Sequence, residues 1–495
     1  MAQKNLRQKA AAGMVWTAVQ RYSTMIIQFI SGIILARLLT AYDYGCIGML
    51  MIFMTLAEAF IDGGFGSALI QKKRPTQEDY STIFWWNMGM AALMYAILFL
   101  ISPWVARFYD IPLLCDVLRV QGLVLFLYAF NIIQRNQLRK FMNFKVIAIV
   151  TIVTSVVALV VTVWMAYRGF GVWSLVAQNM VTAAIPSLVF WFYLKWRPSW
   201  VFSLPSFKEL FGFGFFMFLS HLVNQFSSQV QGLLIGKVYN ASTMGYYSKA
   251  QGTEKLASHS ISQVMTQVTF PLYAEVQDDK TALGNMIKRL SLTVAFITFP
   301  LMFILMLDAK PIFVLLYSER WLNSVPYFQV LCFSGLAVCM HAVNLQSISA
   351  IGKSNVMFYG VLVKRAVGLT AVVGGLFLFG MKGLLVGVVI NSWFSAFYNI
   401  LLVSRYIGYH WTRQLLDLAP IALVAALAAL VAYAAGAFLK LGMYADGAVK
   451  LLVFVTIYMG WAILFNPGPY EYVKSIIIPL WEKFRSRIIR NKTDQ

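Results

Sequence analysis

GIILARLLTAYDYGCIGM, residues 32–49, is repeated 200 residues later as GLLIGKVYNASTMGYYSK, residues 232–249. Both copies begin in a long apolar segment and end in a short polar turn. Aligned without a gap, they pair Gly32 with Gly232, Arg37 with Lys237, Ala41 with Ala241, and Gly45 with Gly245. An apolar chain built from two related halves is typical of transporters, because two similar helical bundles can rock about a site between them. The repeat therefore predicts the architecture and the general class of function.

The composition around this repeat is that of an integral membrane protein. Apolar residues make up 60% of the chain and charged residues 12%. A run of about 18 apolar residues can cross a bilayer as a helix, and the sequence contains fourteen such runs. We therefore expect an all-α membrane protein of about 14 transmembrane helices, in which two six-helix bundles are followed by two extra helices. The expected segments are 1–200, 201–410, 411–469 for spans 13 and 14, and 470–495 for the tail.

The distribution of charge predicts the orientation in the membrane. The net charge is +21, which in a soluble protein would suggest a nucleic-acid partner. Here 25 Lys and Arg residues fall in one set of alternating loops and 10 in the other. This is the positive-inside pattern, so we expect both termini in the cytoplasm and no nucleic-acid partner. The basic tail, with aromatic and isoleucine residues between its charges, predicts an amphipathic helix on the surface of anionic membrane lipids.

Polar side chains within the predicted spans are the candidate site residues, because a charge at bilayer depth costs about 2.5–3.5 kcal/mol. Thr17, Arg21, Thr24 and Gln28 share one face of the first span, and the seventh span repeats such a face. The candidates for a substrate-binding cavity are Arg21, Gln28, Glu58, Asp62, His221, Asn224, Lys249, Glu254, Lys255 and Arg365. Arg21 and His221 occupy equivalent positions in the two copies, which suggests a shared polar cavity.

Structural explanations compete with this interpretation for several candidates. Glu58 and Asp62 could serve only to neutralise Arg21, and His221 could be a hydrogen-bonded packing residue. The Lys364-Arg365 pair could extend to the cytoplasmic surface. Amides in the spans more often join helices than bind substrate; these are Asn131, Gln178, Asn179, Asn391 and Asn399.

Catalytic and metal-binding patterns are missing from the sequence. It has no G-x-S-x-G, H-E-x-x-H or P-loop motif, and its four cysteines form no C-x-x-C pair. The acidic pair Asp278-Asp279 is weak support for a sugar-nucleotide site. We therefore expect no enzyme activity, no metal and no cofactor, and we leave open whether a proton or sodium gradient drives the protein.

The segment 36–87 carries a family resemblance. Its features are the turn Leu39-Thr40 … Asp43-Tyr44-Gly45, the element Asp62-Gly63-Gly64-Phe65-Gly66, the exit Ala68-Leu69-Ile70-Gln71, and Thr76 … Glu78-Asp79 … Ser81-Thr82 before an aromatic span. It resembles the start of bacterial polysaccharide transporters, the lipid-linked oligosaccharide flippases and exporters of the multidrug/oligosaccharidyl-lipid/polysaccharide superfamily. The family often has proline after the threonine of the first turn, where this chain has Ala41.

The resemblance implies a V-shaped pair of six-helix bundles that opens alternately inward and outward. It implies a polyprenyl-diphosphate-linked glycan as cargo, a precursor of lipopolysaccharide, capsule or exopolysaccharide, moved across the bacterial inner membrane. It also implies polymerase and chain-length proteins of the same pathway as possible partners. In the related peptidoglycan-precursor flippase, basic residues of the central cavity engage the diphosphate, and Arg21 lies at a comparable place. The alternatives are a membrane-embedded glycan polymerase or ligase and a small-molecule exporter of the same superfamily.

Overall fold

The computed structural model describes residues 2–439, 441–465, 467–472 and 474, and every element of secondary structure among them is helical. The predicted all-α class is confirmed. The α-helices in chain order are α1 (Ala2–Leu38), α2 (Ala41–Asp62), α3 (Phe65–Gln71), α4 (Gln77–Tyr109), α5 (Leu113–Gly122), α6 (Val124–Lys140), α7 (Phe144–Tyr167), α8 (Val172–Tyr193), α9 (Leu204–Val238), α10 (Ala241–Glu275), α11 (Lys280–Leu307), α12 (Ala309–Tyr317), α13 (Val325–Ala350), α14 (Ser354–Ile407), α15 (Trp411–Leu439) and α16 (Met443–Phe465), with a 3₁₀ helix at Glu319–Ser324.

The chain forms two compact units. The first unit is Met1–Lys249 and the second unit is Ala250–Gln495, so the boundary falls within α10. In the first unit α1 packs on α7, α7 on α8, and α9 on α2, α3 and α4. In the second unit α13 packs on α11 and α14, and α15 packs on α11 and α16. The segment boundaries predicted at residues 200, 410 and 469 follow the repeat and the charge pattern, and they stay a prediction.

The described helices are long and apolar enough for a multi-pass membrane protein. Ten of them meet that test within the described residues, or eleven if the bent α9 is counted as one span. The ten do not include α1 and α10, two of the helices that carry candidate site residues. The count of 14 spans therefore stays a prediction. The tail predicted as a basic amphipathic helix lies, from residue 475 onward, outside the described residues.

The long helix α14 is a hairpin of two arms. Gly380 interrupts it with a φ of 62°, a left-handed conformation that glycine adopts without steric cost. A β-carbon on Gly375 would lie 2.2 Å from the carbonyl oxygen of Gly383, so the arms touch through their backbones. Since α14 forms a single continuous apolar segment (359–407) by length and composition, this turn shows that one apolar segment can supply two antiparallel helices.

Capping boxes begin α2 and α4. The Thr40 side chain accepts from the Asp43 N–H, and the Asp43 carboxylate accepts from the Thr40 N–H. Thr76 and Asp79 make the same pair of bonds at the start of α4. A capping box satisfies two backbone donors that a helix N-terminus would otherwise leave open. The threonine and aspartate positions of the 36–87 segment therefore determine where two helices start.

A linker, residues 195–203, joins α8 to α9 and is bound to the start of α4. The Ser199 N–H donates to Ser81 Oγ over 3.0 Å, and the Ser203 N–H donates to Thr82 Oγ1 over 3.0 Å. The indole N–H of Trp85 donates to the Ser199 carbonyl, and its ring stacks on Trp200 with centroids 4.4 Å apart. Ser81 and Thr82, two further positions of the resemblance, thus position the joint between the predicted repeats.

Lys72 ties this region to α9. Its ammonium lies 3.0 Å from the Asp79 carboxylate and 2.9 Å from that of Glu209. Partial burial lowers the pKa of Lys72, but the hydrogen bonds to Glu209 and Asp79 outweigh it and raise the pKa above its usual value. The carboxylate that caps α4 is therefore also half of an ion pair.

The second unit has an apolar core and, at another place, a buried carboxylate. The core includes Tyr273, Ile287 and Val403. Asp308, between α11 and α12, is 7% exposed, and its Oδ1 accepts no hydrogen bond from the described residues. Burial raises the pKa of Asp308 to about 6, with a further increase from Asp446 and a partial offset from Lys450.

Candidate functional site

Two of the four residues on the polar face of α1 bond to their own helix. Thr17 Oγ1 donates to the Gly13 carbonyl and Thr24 Oγ1 to the Arg21 carbonyl. Arg21 is half-buried and Gln28 is exposed. Among the described side chains no ion pair includes Arg21. The guanidinium charge is therefore unpaired within the described structure. A group that receives an anionic substrate should have such an unpaired charge.

Asp62 lies at the last residue of α2 and is held by the turn that follows. Its Oδ1 would lie 3.0 Å from a β-carbon on Gly66, and the carboxylate interacts electrostatically with His221 on α9 and with Arg139 on α6. His221 is exposed, so it is not a packing residue in the core. The structure therefore brings together Asp62 and His221, two candidates that the sequence placed on separate helices.

The two glycines after Asp62 explain the sequence of this turn. Gly63 and Gly64 have φ values of 54° and 75°, which side-chain-bearing residues rarely adopt. A β-carbon on Gly64 would lie 2.2 Å from the carbonyl oxygen of Gly214. The turn thus lets the backbone of α9 approach that of the α2–α3 junction and orients the Asp62 carboxylate.

Glu58 faces α6. The charged side chain that acts on it is Arg135, and both line one cavity between α2, α6 and α8. Among the described side chains no ion pair joins Glu58 or Asp62 to Arg21, the pairing that the purely structural alternative would require. The reason is geometric, because α1 packs on α7 while these carboxylates lie against α3, α6 and α9.

Lys249 connects the two copies of the repeat. It is 8% exposed, and its ammonium donates to the Gly32 carbonyl over 2.6 Å. The same ammonium lies 5.1 Å from the ring centroid of Tyr44. A buried cation held by a carbonyl oxygen is a group that an incoming phosphate could attract.

Asn224 lies on α9, whose polar face the sequence predicts. It is half-buried. Further along that face, Gln231 Oε1 accepts from the hydroxyl of Tyr247 over 2.5 Å. Gln231 of α9 thus bonds with the neighbouring α10, and the role of Asn224 as a substrate ligand stays a prediction.

Three candidates belong to the second unit. Glu254 is 7% exposed, and a β-carbon on Gly335 would lie 2.7 Å from its Oε1, so it packs against α13. Lys255 is exposed and Arg365 is half-buried. Nothing in these positions tests their role as substrate ligands, and that role stays a prediction.

Lys364 is buried, which disfavours the alternative that its side chain extends to the cytoplasmic surface. It is 6% exposed, and its ammonium donates to Asn399 Oδ1 over 3.0 Å. Asn399 Nδ2 lies 2.9 Å from His341 Nδ1. Asn399 therefore joins helices, as expected of an amide in a span, and it does so by binding a buried cation.

Arg135 is the residue that sequence reasoning missed. The alternation of basic loops predicts that it belongs to a cytoplasmic loop, Arg135–Lys145, but α6 continues through it to Lys140. Tyr128, Asn131 and Arg135 are spaced as neighbours on one helix face, and that spacing could have revealed its inward position. Arg135 thus lines the same cavity as Glu58, whereas Lys249 lies at a different place, against Gly32 and Tyr44.

Comparison with known proteins supports this interpretation. Residues 34–326 match the family model described as "Polysaccharide biosynthesis protein". The teichuronic acid biosynthesis protein TuaB of Bacillus subtilis (strain 168) is 25% identical over 81% of this chain and 85% of its own. The lipopolysaccharide biosynthesis protein WzxC of Escherichia coli (strain K12) is 24% identical over 67% of this chain and 68% of its own. The inward closed structure of the lipid II flippase MurJ is 14% identical and aligns with a TM-score of 0.71 over 91% of this chain and 100% of its own, which shows the same fold.

Proposed function

Since this chain belongs to the polysaccharide biosynthesis protein family, we propose that it flips or exports a polyprenyl-diphosphate-linked oligosaccharide across the bacterial inner membrane by alternating access. The cargo is a precursor of lipopolysaccharide, capsule or exopolysaccharide. The relatives TuaB and WzxC are named for teichuronic acid and lipopolysaccharide biosynthesis, and the fold is shared with a lipid II flippase. The resemblance of the 36–87 segment to polysaccharide transporters is confirmed.

The observation that carries this proposal is the polar interior of the first unit. Arg21 has no ion-pair partner among the described side chains, and Lys249 is buried against a carbonyl oxygen. A diphosphate must cross a region where an unpaired charge is expensive, and fixed cations lower that cost. A guanidinium can hold two phosphate oxygens at once, which an ammonium does less well. We assign Arg21 the main contact with the diphosphate and Lys249 a supporting one.

The proposal also includes the orientation of the protein in the membrane and the chemical fate of the glycan. Both termini lie in the cytoplasm, as the excess of basic residues in alternate loops favours. The protein acts as a transporter and leaves the glycan unchanged, in contrast to a polymerase or ligase, which would alter its length or linkage.

The test is a leaflet assay in vesicles. Purified protein is reconstituted with labelled undecaprenyl-diphosphate-linked glycan, and a membrane-impermeant glycosidase measures how much glycan has reached the outer leaflet. We expect relocation above that of protein-free vesicles with no change in glycan mass. An altered mass would support the polymerase or ligase, and the absence of relocation in vesicles with folded protein would refute the flippase.

A further inference from the structure

The cavity that Glu58 and Arg135 line lies inside the first unit, and of its lining residues only Glu58 is a candidate from the sequence. It has a volume of about 330 Å³ and lies between α2, α6 and α8. That volume is in the range of small-molecule sites, about 300–1,000 Å³. Its polar lining includes Glu58, Gln121, Tyr128, Asn131, Arg135 and Asn179.

Two buried amides in this lining have oxygen atoms without partners. Gln121 is 6% exposed and Asn131 is 2% exposed. Neither Gln121 Oε1 nor Asn131 Oδ1 accepts a hydrogen bond from the described residues. Asn131 Nδ2, by contrast, donates to Ser187 Oγ over 2.8 Å. An unsatisfied buried acceptor costs about 1–3 kcal/mol, so a ligand that reaches either oxygen with a hydrogen-bond donor would be stabilised.

The charges of the lining narrow the chemistry of that ligand. Glu58 and Arg135 both line the cavity and interact electrostatically, but they are not among the ion pairs of the described residues. Glu58 disfavours an anion and Arg135 disfavours a bare cation, while together they offer an acceptor and a set of fixed donors. A neutral molecule with many hydroxyl groups satisfies both.

Part of the lining is apolar. Leu50, Met51 and Met54 of α2 contribute to it, and so does Val124 of α6. A pyranose has the same division, with hydroxyl groups around its edge and C–H groups on its faces. The cavity therefore matches a sugar in size as well as in hydrogen bonding.

We propose that this cavity binds a sugar residue of the transported glycan and that Gln121 and Asn179 help to determine which sugars are accepted. This inference rests on the proposed function. It separates recognition into two parts, because the diphosphate contacts assigned to Arg21 and Lys249 are the same for every cargo, whereas the amides of this cavity can distinguish one pattern of hydroxyl groups from another.

The test compares lipids that differ only in the sugar. Purified protein in nanodiscs is titrated with undecaprenyl diphosphate, bare or carrying glucose, galactose or N-acetylglucosamine. We expect the wild-type protein to bind at least one sugar-bearing lipid about tenfold more tightly than the bare lipid, as one or two hydrogen bonds would provide. Gln121→Met and Asn179→Leu should each remove most of that difference and leave the Kd of the bare lipid unchanged.

Gln178→Met is the matched control, because Gln178 precedes Asn179 on α8 and does not line the cavity. It should keep the wild-type preference. Thr182→Val, a nearly isosteric change in the lining, replaces either variant that fails to fold. A wild-type protein without sugar preference, or lining variants that keep it, would overturn the inference. A protein that binds neither bare nor sugar-bearing lipid would instead count against the proposed function.

Discussion

Gly45 and Gly245 contact each other's helix in the same way. A β-carbon on Gly45 would lie 1.7 Å from the carbonyl oxygen of Ala241, and one on Gly245 would lie 1.7 Å from the carbonyl oxygen of Ala41. Both pairs are related by the 200-residue repeat that the sequence predicts. The first turns of α2 and α10 therefore meet backbone to backbone about a local two-fold relationship, and no larger residue fits at either glycine.

We predict that Gly45→Ala and Gly245→Ala each destabilise the protein. The added methyl group must separate α2 from α10, and overpacking of this kind typically costs about 1–3 kcal/mol. The measurement is the thermal unfolding midpoint of the purified variants. Gly252→Ala is the control, because Gly252 is also on α10 and a β-carbon there would meet nothing within 4 Å. A stability of Gly45→Ala equal to that of the control would show that the helices can move apart at no cost.

Arg21→Ala should abolish glycan transport while leaving the protein inserted and folded. Arg21→Lys should keep partial function, because the charge survives but the fork that grips two phosphate oxygens does not. Lys249→Ala and Lys255→Ala should each weaken transport less. Complementation of surface glycan in a deletion strain, normalised to the amount of membrane protein, measures the effect. Arg37→Ala is a control on the same helix, and Arg37 is exposed. Normal export by a well-expressed Arg21→Ala variant would remove Arg21 from the mechanism.

Three substitutions around the N-terminal cap of α4 should lower the stability of the protein by different amounts. Asp79 is 1% exposed, accepts from the Thr76 N–H over 2.8 Å, and pairs with Lys72. Asp79→Ala removes all of these bonds and should cost about 2 kcal/mol, since hydrogen bonds to charged groups are the strong ones. Thr76→Ala removes only a cap and should cost about 1 kcal/mol. Glu209→Gln, at the exposed end of the network, should cost less than about 1 kcal/mol. A thermal-shift series on the three variants checks this order, which would be refuted if Glu209→Gln had the largest effect.

Asp308 should make the stability of the protein depend on pH. Its pKa of about 6 in the folded state is above the value of about 3.9 for an unfolded aspartate. The folded state therefore binds the proton more tightly, so stability falls as the pH rises from about 4 to about 6. Asp308→Asn should raise the unfolding midpoint at about pH 7.5 and leave it unchanged at about pH 4. Asp278→Asn, at an exposed carboxylate, is the control and should change neither value.

Membrane orientation can be tested with single cysteines at exposed loop positions. Gly442 and Lys353 are both exposed, and the charge pattern predicts that they lie on opposite sides of the membrane. An impermeant maleimide added to intact cells should label Gly442→Cys and not Lys353→Cys, while both should react after permeabilisation. Labelling of Lys353→Cys in intact cells would show that this loop faces outward and would contradict the predicted topology.

Local features of this protein could be predicted from its sequence. Contacts between side chains on helices far apart in sequence could not. The repeat identified Gly45 and Gly245, and the threonine and aspartate spacing of the 36–87 segment corresponds to two capping boxes, because capping acts within four residues of the chain. By contrast, the sequence places Arg135 in a loop and leaves open whether Glu58 neutralises Arg21, whereas the structure places Glu58 and Arg135 in one cavity. Which cation faces a carboxylate depends on the packing of helices far apart in sequence, and a single sequence carries no direct signal of that packing.

The bound linker between α8 and α9 has a practical consequence for handling this protein. A joint between repeats is ordinarily the first place that a protease cuts or an engineer inserts a reporter. Here Ser81, Thr82 and Trp85 bind the backbone or ring of residues 199–203, so a cleavage site there is closed until the start of α4 releases it. Genetic fusions that split the chain at this joint would separate pieces that fold as one, and exposed glycines such as Gly442 are the better insertion points.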